Sequence, residues 1–238
     1  MFNALNAISK NKDNEIFDNV RSRYINEVAT VTSSEYVQSL TDQGKTTEEI
    51  EDIQDKAIKD AILKEYDKQK SKHGFLWVQN LWKSDSNSSP YTNLNSYKAY
   101  YEGKYNEILD ETAFEEEFNL ILNTIKADNL DNNGYYILII LAGVVTFLVQ
   151  WLSQRSMSKS NNTAGSTNKI MLFIMPLVML IFASTSNALF TLYIITNSIV
   201  SAVISKIIDK ILKDKDVTTS RPIIKSNNVV EYSRNYKN

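Results

Sequence analysis

Two long stretches without any charged residue constrain this chain more than any other feature. Tyr135–Gln154 is uncharged over 20 positions, and a helix of that length rises about 30 Å, the hydrocarbon thickness of a bilayer. Ile170–Ser205 is uncharged over 36 positions, which suits two short spans better than one. The small and polar residues of Phe182–Ala188 favour a turn between them. The sequence therefore predicts an all-α, polytopic membrane protein with one span followed by a tight helical hairpin.

Basic residues orient these predicted spans. The spans are expected at about 135–152, 169–184 and 187–206. The connection 153–169 carries three basic residues and no acid, and the tail 207–238 is also net basic. By the positive-inside rule both are expected in the cytoplasm. Three spans then place residues 10–134 outside, and the predicted localisation is the plasma membrane.

The distribution of charge separates the same two regions and limits the function classes. Residues 1–134 carry 15 basic and 24 acidic side chains, whereas residues 135–238 carry 11 basic and 4 acidic ones. With no Cys and only His73, the chain offers neither a disulfide nor a thiolate or zinc site. It also lacks a P-loop and a dinucleotide fingerprint. We therefore expect no enzyme activity, no metal or cofactor, no DNA partner and no small-molecule substrate.

Residues 10–134 are expected to form a helical, acidic extramembrane region. A capping box, Thr46 with Glu49, predicts the start of one helix, and Gly74 suits its end. A second capping box, beginning at Thr112, predicts another helix, and a weaker pattern covers Asn14–Leu40. The apolar stripes of the first two helices are Ile50, Ile53, Ala57, Ile58, Ala61, Ile62 and Tyr66, and Phe114, Phe118, Ile121, Leu122 and Ile125. These stripes are interpreted as packing faces.

One extramembrane segment is unusually aromatic. Phe75, Trp77 and Trp82 occur among Leu and Val in an otherwise polar region. An amphipathic segment lying on the membrane surface uses such side chains, and a local hydrophobic core uses them equally well. Both interpretations stay open from the sequence.

The third predicted span has many polar side chains for a helix in lipid. Among them are Tyr193, Thr196 and Asn197. An unpaired amide in hydrocarbon is costly, so Asn197 is expected to face protein or water. One side of the helix either lines a hydrated cavity or forms hydrogen bonds with neighbouring helices.

Four short segments carry motifs in a fixed order along the chain. They are Phe75–Asp85 (FLW, then NL, then D), Gly134–Gln150 (GYYIL, then Q), Lys169–Pro176 (KIM, then MP) and Ala188–Asn197 (ALFTLYIITN). Together they resemble the YidC/Oxa/Alb family of membrane protein insertases. The resemblance covers about 75–92 and 134–206.

The resemblance implies a function and a site. Members of this family assist the insertion and folding of newly synthesised membrane proteins in the bacterial plasma membrane. The resemblance gives Tyr193, Thr196, Asn197 and Gln150 as side chains of a hydrophilic substrate groove. Nascent membrane proteins are the implied partners, with the Sec translocon and the ribosome as further ones. The basic tail is interpreted as a topology determinant or as a contact for ribosomal RNA or anionic lipid.

The chain also departs from the family pattern. An intramembrane span carrying an Arg, a cytoplasmic helical hairpin and a further span have no counterpart in it. Residues 1–9 are therefore interpreted as the end of a truncated span, and the chain as a fragment of a longer insertase. Ala188 stands where the family has a Gly. The alternative hypothesis is an extracytoplasmic binding or scaffold protein that the three spans merely anchor.

Overall fold

The computed structural model describes the backbone of residues 2–106, 110–157 and 167–219, and side chains within 4–106, 110–153 and 172–211. These ranges contain eight helices and no strand, apart from an isolated bridge between Phe75 and Val78. The helices are α1 Phe2–Val31, α2 Ser34–Asp42, α3 Thr47–His73, α4 Leu94–Tyr105, α5 Glu111–Asp128, α6 Ile137–Met157, α7 Thr167–Thr185 and α8 Ala188–Thr219. The predicted all-α class is confirmed for these residues.

The chain divides into two compact units. Residues 1–198 form the first unit, and residues 199–238 form the second, whose described part is the C-terminal portion of α8. Residues 158–166 of the predicted cytoplasmic loop lie outside the described residues, and so do residues 220–238 of the predicted tail.

Helices α1, α3, α4 and α5 pack around an aromatic core. Its buried side chains are Phe17, Val20, Ile62, Tyr66, Tyr91, Tyr97, Tyr101, Phe114, Phe118, Ile121 and Ile125. Both predicted apolar stripes supply members of this core, so their interpretation as packing faces is confirmed. The predicted ends of α3 are also confirmed, because Thr46 and Glu49 form a reciprocal capping box and Gly74 ends the helix.

Three expectations for this region were wrong or incomplete. The pattern over Asn14–Leu40 is two helices, because Ser33 leaves the helical conformation and caps α2 by accepting a hydrogen bond from the backbone of Tyr36. Thr112 does not open α5. Asp110 does, because its carboxylate accepts from two backbone amides, those of Thr112 and Ala113. Helix α4 was missed, since its buried tyrosines form no clear apolar stripe.

Helices α6, α7 and the start of α8 enclose a second buried cluster. It consists of Val78, Leu138, Ile139, Ala142, Ala183, Ala188 and Ile195. Helices α6 and α7 come close at Gly143, where an added Cβ would lie 2.7 Å from the side chain of Leu180. Small residues at such contacts let helix backbones approach each other.

Among the described residues, one helical segment is long and apolar enough to cross a membrane. It is Ala188–Ile208 of α8, with a mean hydropathy of 1.8 and only 17% of its residues buried. Such low burial is not typical of the core helix of a soluble protein. Two shorter apolar segments occur in α6 and α7, at Ile137–Ser153 and Leu172–Thr185. The predicted count of three spans therefore stays a prediction.

Candidate functional site

The residues of the aromatic motif form a tight connection between α3 and α4, which we call the junction loop (residues 74–93). It opens with a turn in which the backbone groups of Phe75 and Val78 exchange two hydrogen bonds of 2.9 Å. Leu76 takes the left-handed conformation at φ 54°. The turn lets Leu81 donate back to the carbonyl of His73 at 2.9 Å. The loop is therefore fixed against the end of α3.

Asp85 of the junction loop caps the start of α6. Its carboxylate accepts hydrogen bonds from the backbone nitrogens of Tyr135, at 2.8 Å, and Leu138, at 2.6 Å. Tyr136 precedes the helix in the left-handed conformation and offers no side-chain acceptor for these amides. A negative charge at a helix N-terminus also interacts favourably with the helix dipole. The motif aspartate thus fixes the beginning of an apolar helix distant in sequence.

The same loop binds the turn between α7 and α8. The backbone amides of Ala188 and Leu189 donate to the carbonyls of Lys83 and Leu81, at 2.7 and 3.0 Å. Asn187 accepts a further hydrogen bond from the amide of Phe190 at 2.7 Å. The first turn of α8 is therefore satisfied largely by backbone atoms of the junction loop.

A reciprocal pair of asparagines joins the loop to the segment before α6. The backbone of Asn80 donates to Oδ1 of Asn133 at 2.7 Å, and Nδ2 of Asn133 returns a hydrogen bond to the carbonyl of Asn80 at 2.9 Å. Nδ2 of Asn133 also donates to the carbonyl of Ser84 at 2.8 Å. Both asparagines are buried, so these bonds satisfy groups that water cannot reach.

A buried charge pair joins α1 to the junction loop. Asp13 lies 2.8 Å from Nζ of Lys83 and accepts a hydrogen bond of 2.7 Å from Nδ2 of Asn80. Burial raises the pKa of Asp13 above its ordinary value, and the nearby Lys83 ammonium partly opposes that rise. Lys83 supplies the counter-charge that this buried carboxylate would otherwise lack.

The aromatic residues singled out from the sequence have different environments. Trp77 is half-buried against the cluster that contains Val78 and Leu138, whereas Phe75 remains 44% exposed. Trp82 is half-buried, and its indole N–H donates to Nδ1 of His73 at 3.3 Å. Burial and the nearby Lys72 lower the pKa of His73, which favours the neutral ring that accepts this bond. The local-core interpretation therefore fits Trp77.

The predicted groove side chains lie on α8 and α6. Tyr193, Thr196 and Asn197 are exposed and share one face of α8, at the spacing i, i+3 and i+4. Gln150 of α6 is half-buried. Gln150 lies on a different helix from these α8 residues, and no hydrogen bond among the described side chains joins it to them. The structure thus groups three of the four residues.

Two buried threonines of the apolar helices contribute to packing: Thr191, which the sequence indicates only as one of many polar residues in the third predicted span, and Thr146, which sequence reasoning missed. Thr146 is buried in α6 and donates to the carbonyl of Ala142 at 2.8 Å. Thr191 is buried at the start of α8 and donates to the carbonyl of Asn187 at 3.2 Å. The four-residue spacing is typical of hydroxyls bonding back along a helix. Exposed threonines such as Thr124 form the same bond, so the sequence offers no signal that marks Thr146 and Thr191 as buried.

Comparison with known proteins identifies the family. The profile of the family described as 60Kd inner membrane protein matches residues 57–215. No curated protein matches the chain. No solved structure matches it either.

The matched range includes most of α3, the whole junction loop and the apolar helices up to α8. It therefore covers the junction loop and the starts of α6 and α8 that this loop caps, whereas Asp13 of α1, the partner of Lys83, lies outside it. The matched range is also more than half of the chain. This chain belongs to the 60Kd inner membrane protein family, the YidC/Oxa/Alb family, whose general role is membrane protein insertion.

Proposed function

We propose that this chain acts as a membrane protein insertase and chaperone, which assists insertion and folding of newly synthesised proteins in the bacterial plasma membrane. The family match supports the general role. The observation that carries the proposal is the junction loop, whose Asp85 and backbone carbonyls anchor the starts of α6 and α8. An insertase needs its spans held at fixed positions while substrates pass.

The proposed mechanism lowers the free-energy cost of moving polar groups of a substrate from water into the bilayer. It involves no formation or cleavage of covalent bonds. A charged side chain at mid-bilayer costs about 2.5 kcal/mol or more. Tyr193, Thr196 and Asn197 give α8 one polar, exposed face on an apolar helix, and that face offers hydrogen-bonding partners to the polar parts of a substrate. We propose that this face, with Gln150, is the substrate side.

The proposed topology has three spans, with residues 10–134 outside and the connection 153–169 and the tail in the cytoplasm. Helices α6 and α7 have 21 and 19 residues, which correspond to about 32 and 29 Å. Their exposed apolar side chains support contact with lipid, for example Ile140, Leu177 and Ile181 at 58 to 59% exposure. We further propose that Phe75, Trp77 and Trp82 lie near the lipid–water boundary.

The proposed partners are nascent membrane proteins, and the Sec translocon and the ribosome are proposed as further ones. The alternative hypothesis, an anchored extracytoplasmic scaffold, gives the spans no role of their own. The family match does not favour it, because most of the match falls on the junction loop and the apolar helices.

Photocrosslinking tests the proposal directly. A crosslinker at Tyr193 is expected to capture a nascent membrane protein during its insertion, because this side chain is 62% exposed on the polar face. The control is a crosslinker at Leu177, which is 59% exposed on α7 and expected to contact lipid. Equal capture at both positions, or capture at neither, contradicts the proposed substrate face. In cells, depletion of the full-length protein is expected to leave polytopic membrane proteins uninserted.

A further inference from the structure

A polar cleft beside the turn between α7 and α8 has no role in the proposed substrate face. It has a volume of about 490 Å³ and lies between the start of α1, the junction loop and that turn. Its polar walls include Asn6, Ser9, Lys10, Asp13, Lys83 and Ser186. The cleft is therefore at the end of the apolar helices, where α7 stops and α8 begins.

The charge in this cleft is positive. Its one acidic side chain, Asp13, is compensated by Lys83 at 2.8 Å and by the amide of Asn80. Lys10 is exposed on the cleft wall and has no ion-pair partner among the described side chains. One cation in the cleft is thus left without a counter-charge, which favours an anionic ligand.

One buried hydroxyl on the wall is unsatisfied. Ser186 is only 2% exposed, and its Oγ has no hydrogen-bond partner within the described part of the chain. The neighbouring polar groups are already occupied, because Nδ2 of Asn187 donates to Ser9 and Oγ of Ser9 donates to the carbonyl of Leu5. A buried hydroxyl without a partner costs about 1–3 kcal/mol, so a ligand that accepts from Ser186 would remove this cost.

Exposed apolar side chains neighbour lining residues of the cleft along the chain. Ile8 comes directly before Ser9 in α1 and is 51% exposed, and Leu189 follows the turn and is 38% exposed. A ligand with an anionic, acceptor-rich group and an attached apolar chain matches this combination. A neutral peptide offers no charge to Lys10, and so it fits less well.

We propose that this cleft binds the phosphodiester headgroup of a phospholipid in the leaflet where α7 and α8 meet. The phosphate oxygens accept hydrogen bonds from the Lys10 ammonium and the Ser186 hydroxyl, and the acyl chains follow the apolar surface near Ile8 and Leu189. The inference rests on the membrane embedding stated under the proposed function. It assigns the chain a structural lipid in addition to its substrates.

Native mass spectrometry of the full chain, released from detergent, tests the site. The probes are dioleoylphosphatidylglycerol and dioleoylglycerol, which lacks the phosphate. The chain is expected to retain the phospholipid and not dioleoylglycerol. Lys10→Gln is expected to lower the retained phospholipid about tenfold, since a charge-assisted hydrogen bond contributes roughly this factor. Lys12→Gln is the matched control, because Lys12 pairs with Glu15 outside the cleft lining.

Ser186→Ala gives a second test that does not depend on charge. Since the buried hydroxyl has no partner in the protein, the variant is expected to keep or raise the melting temperature measured without lipid and to lose phospholipid retention. Equal retention in Lys10→Gln and the unaltered chain overturns the proposal, as does equal loss in Lys12→Gln.

Inorganic phosphate separates lipid from a soluble source. If it raises the melting temperature through Lys10 while no phospholipid is retained, the lipid assignment is overturned. Lipid retention is measured on the isolated chain, and so its loss would leave the insertase proposal intact. A failure of nascent-chain crosslinking would likewise leave a positive retention result standing.

Discussion

The carboxylate of Asp85 lies 2.6 Å from the backbone nitrogen of Leu138, although 53 residues separate them along the chain. Leu138 is itself only 1% exposed, and the contact belongs to the first turn of α6. An N-terminal cap usually comes from the residue just before the helix. In this chain Tyr136 occupies that position, and the acceptor comes from the junction loop instead. The apolar helix therefore starts where the junction loop sets it.

Replacing Asp85 tests this cap. Asp85→Ala leaves the amides of Tyr135 and Leu138 without their acceptor, and the expected loss of unfolding free energy is about 2–3 kcal/mol. Asp85→Asn keeps one acceptor oxygen, and its expected loss is about 1 kcal/mol. Thermal unfolding in detergent measures both, and hydrogen exchange at Leu138 reports the cap itself. Asp131→Ala is the control, because Asp131 forms only an exposed pair with Lys126. Equal effects of Asp85→Ala and Asp131→Ala would contradict the capping role.

Gly134 makes the approach of Asp85 possible. A Cβ added at this position would lie 1.8 Å from Oδ1 of Asp85, a distance that no side-chain carbon tolerates. Gly134→Ala is therefore expected to displace Asp85 and to destabilise the chain by at least as much as Asp85→Ala. The matched control is Gly103→Ala in α4, where nothing lies within 4 Å of the added carbon. That variant is expected to stabilise the chain by up to about 1 kcal/mol, because alanine favours a helix over glycine.

The sequence predicts those contacts whose two residues lie close together along the chain, and it does not predict contacts between residues that are far apart in sequence. The ends of α3 follow from Thr46, Glu49 and Gly74, whose capping contacts are local. The cap of α6 could not be predicted in this way, since Asp85 and Leu138 meet only after the junction loop has folded. The motif identified Asp85 as a family residue without indicating its contact.

The aromatic core of α1, α3, α4 and α5 shows the same limit. The stripe containing Phe118 and Ile125 repeats at helical spacing, and so α5 could be recognised. Helix α4 buries Tyr97 and Tyr101 on one side, but its other tyrosines hide that pattern. For the proposed substrate face, helical spacing places Tyr193, Thr196 and Asn197 together on α8, whereas the relation of Gln150 to them requires the tertiary structure.

The pair of Asp13 and Lys83 predicts a pH dependence. The pKa of Asp13 is raised by burial, so the folded state binds a proton more readily than the unfolded chain. The stability gained from protonated Asp13 is fully present below the pKa of this carboxyl in the unfolded chain, near 3.9. It is lost as the pH rises through the higher pKa that Asp13 has in the folded state. Lys83→Met removes the charge that compensates Asp13, and it is expected to lower the free energy of unfolding by about 3 kcal/mol at pH 7. This loss of unfolding free energy should shrink as the pH falls, because burial already raises the pKa of Asp13 and removal of the Lys83 ammonium raises it further, which favours the neutral carboxyl.

Denaturation of Lys83→Met at pH 5 and pH 7 measures this difference. Asp13→Asn is the companion variant, since it removes the titrating group and should flatten the difference between the two pH values. Lys126→Met removes an exposed pair with Asp131 and a cation–π contact of 5.8 Å with the ring of Tyr91. It is the control and is expected to change stability by about 1 kcal/mol or less. A cost of Lys83→Met that is the same at both pH values would contradict the assignment.

Two threonines of α8 separate the proposed substrate face from the packing face. Thr196 is exposed beside Tyr193, whereas Thr191 is buried and hydrogen-bonded to the carbonyl of Asn187. The same near-isosteric change, threonine to valine, can be made at both. Thr196→Val is expected to lower the yield of inserted substrate severalfold at an unchanged melting temperature, because it removes a polar group from the substrate face. Thr191→Val is expected to lower the melting temperature, with about 1 kcal/mol of lost stability.

Reconstituted insertion of a polytopic substrate, together with thermal unfolding of each variant, distinguishes these two outcomes. Insertion that is unchanged in Thr196→Val would remove this position from the substrate face. If insertion falls in both variants in proportion to their loss of stability, α8 affects insertion only through the stability of the fold, and the proposed substrate face is contradicted. We expect insertion to fall only in Thr196→Val and the melting temperature to fall only in Thr191→Val. The reason is that Thr196 faces outward, whereas Thr191 faces the buried cluster around Ala183 and Ala188.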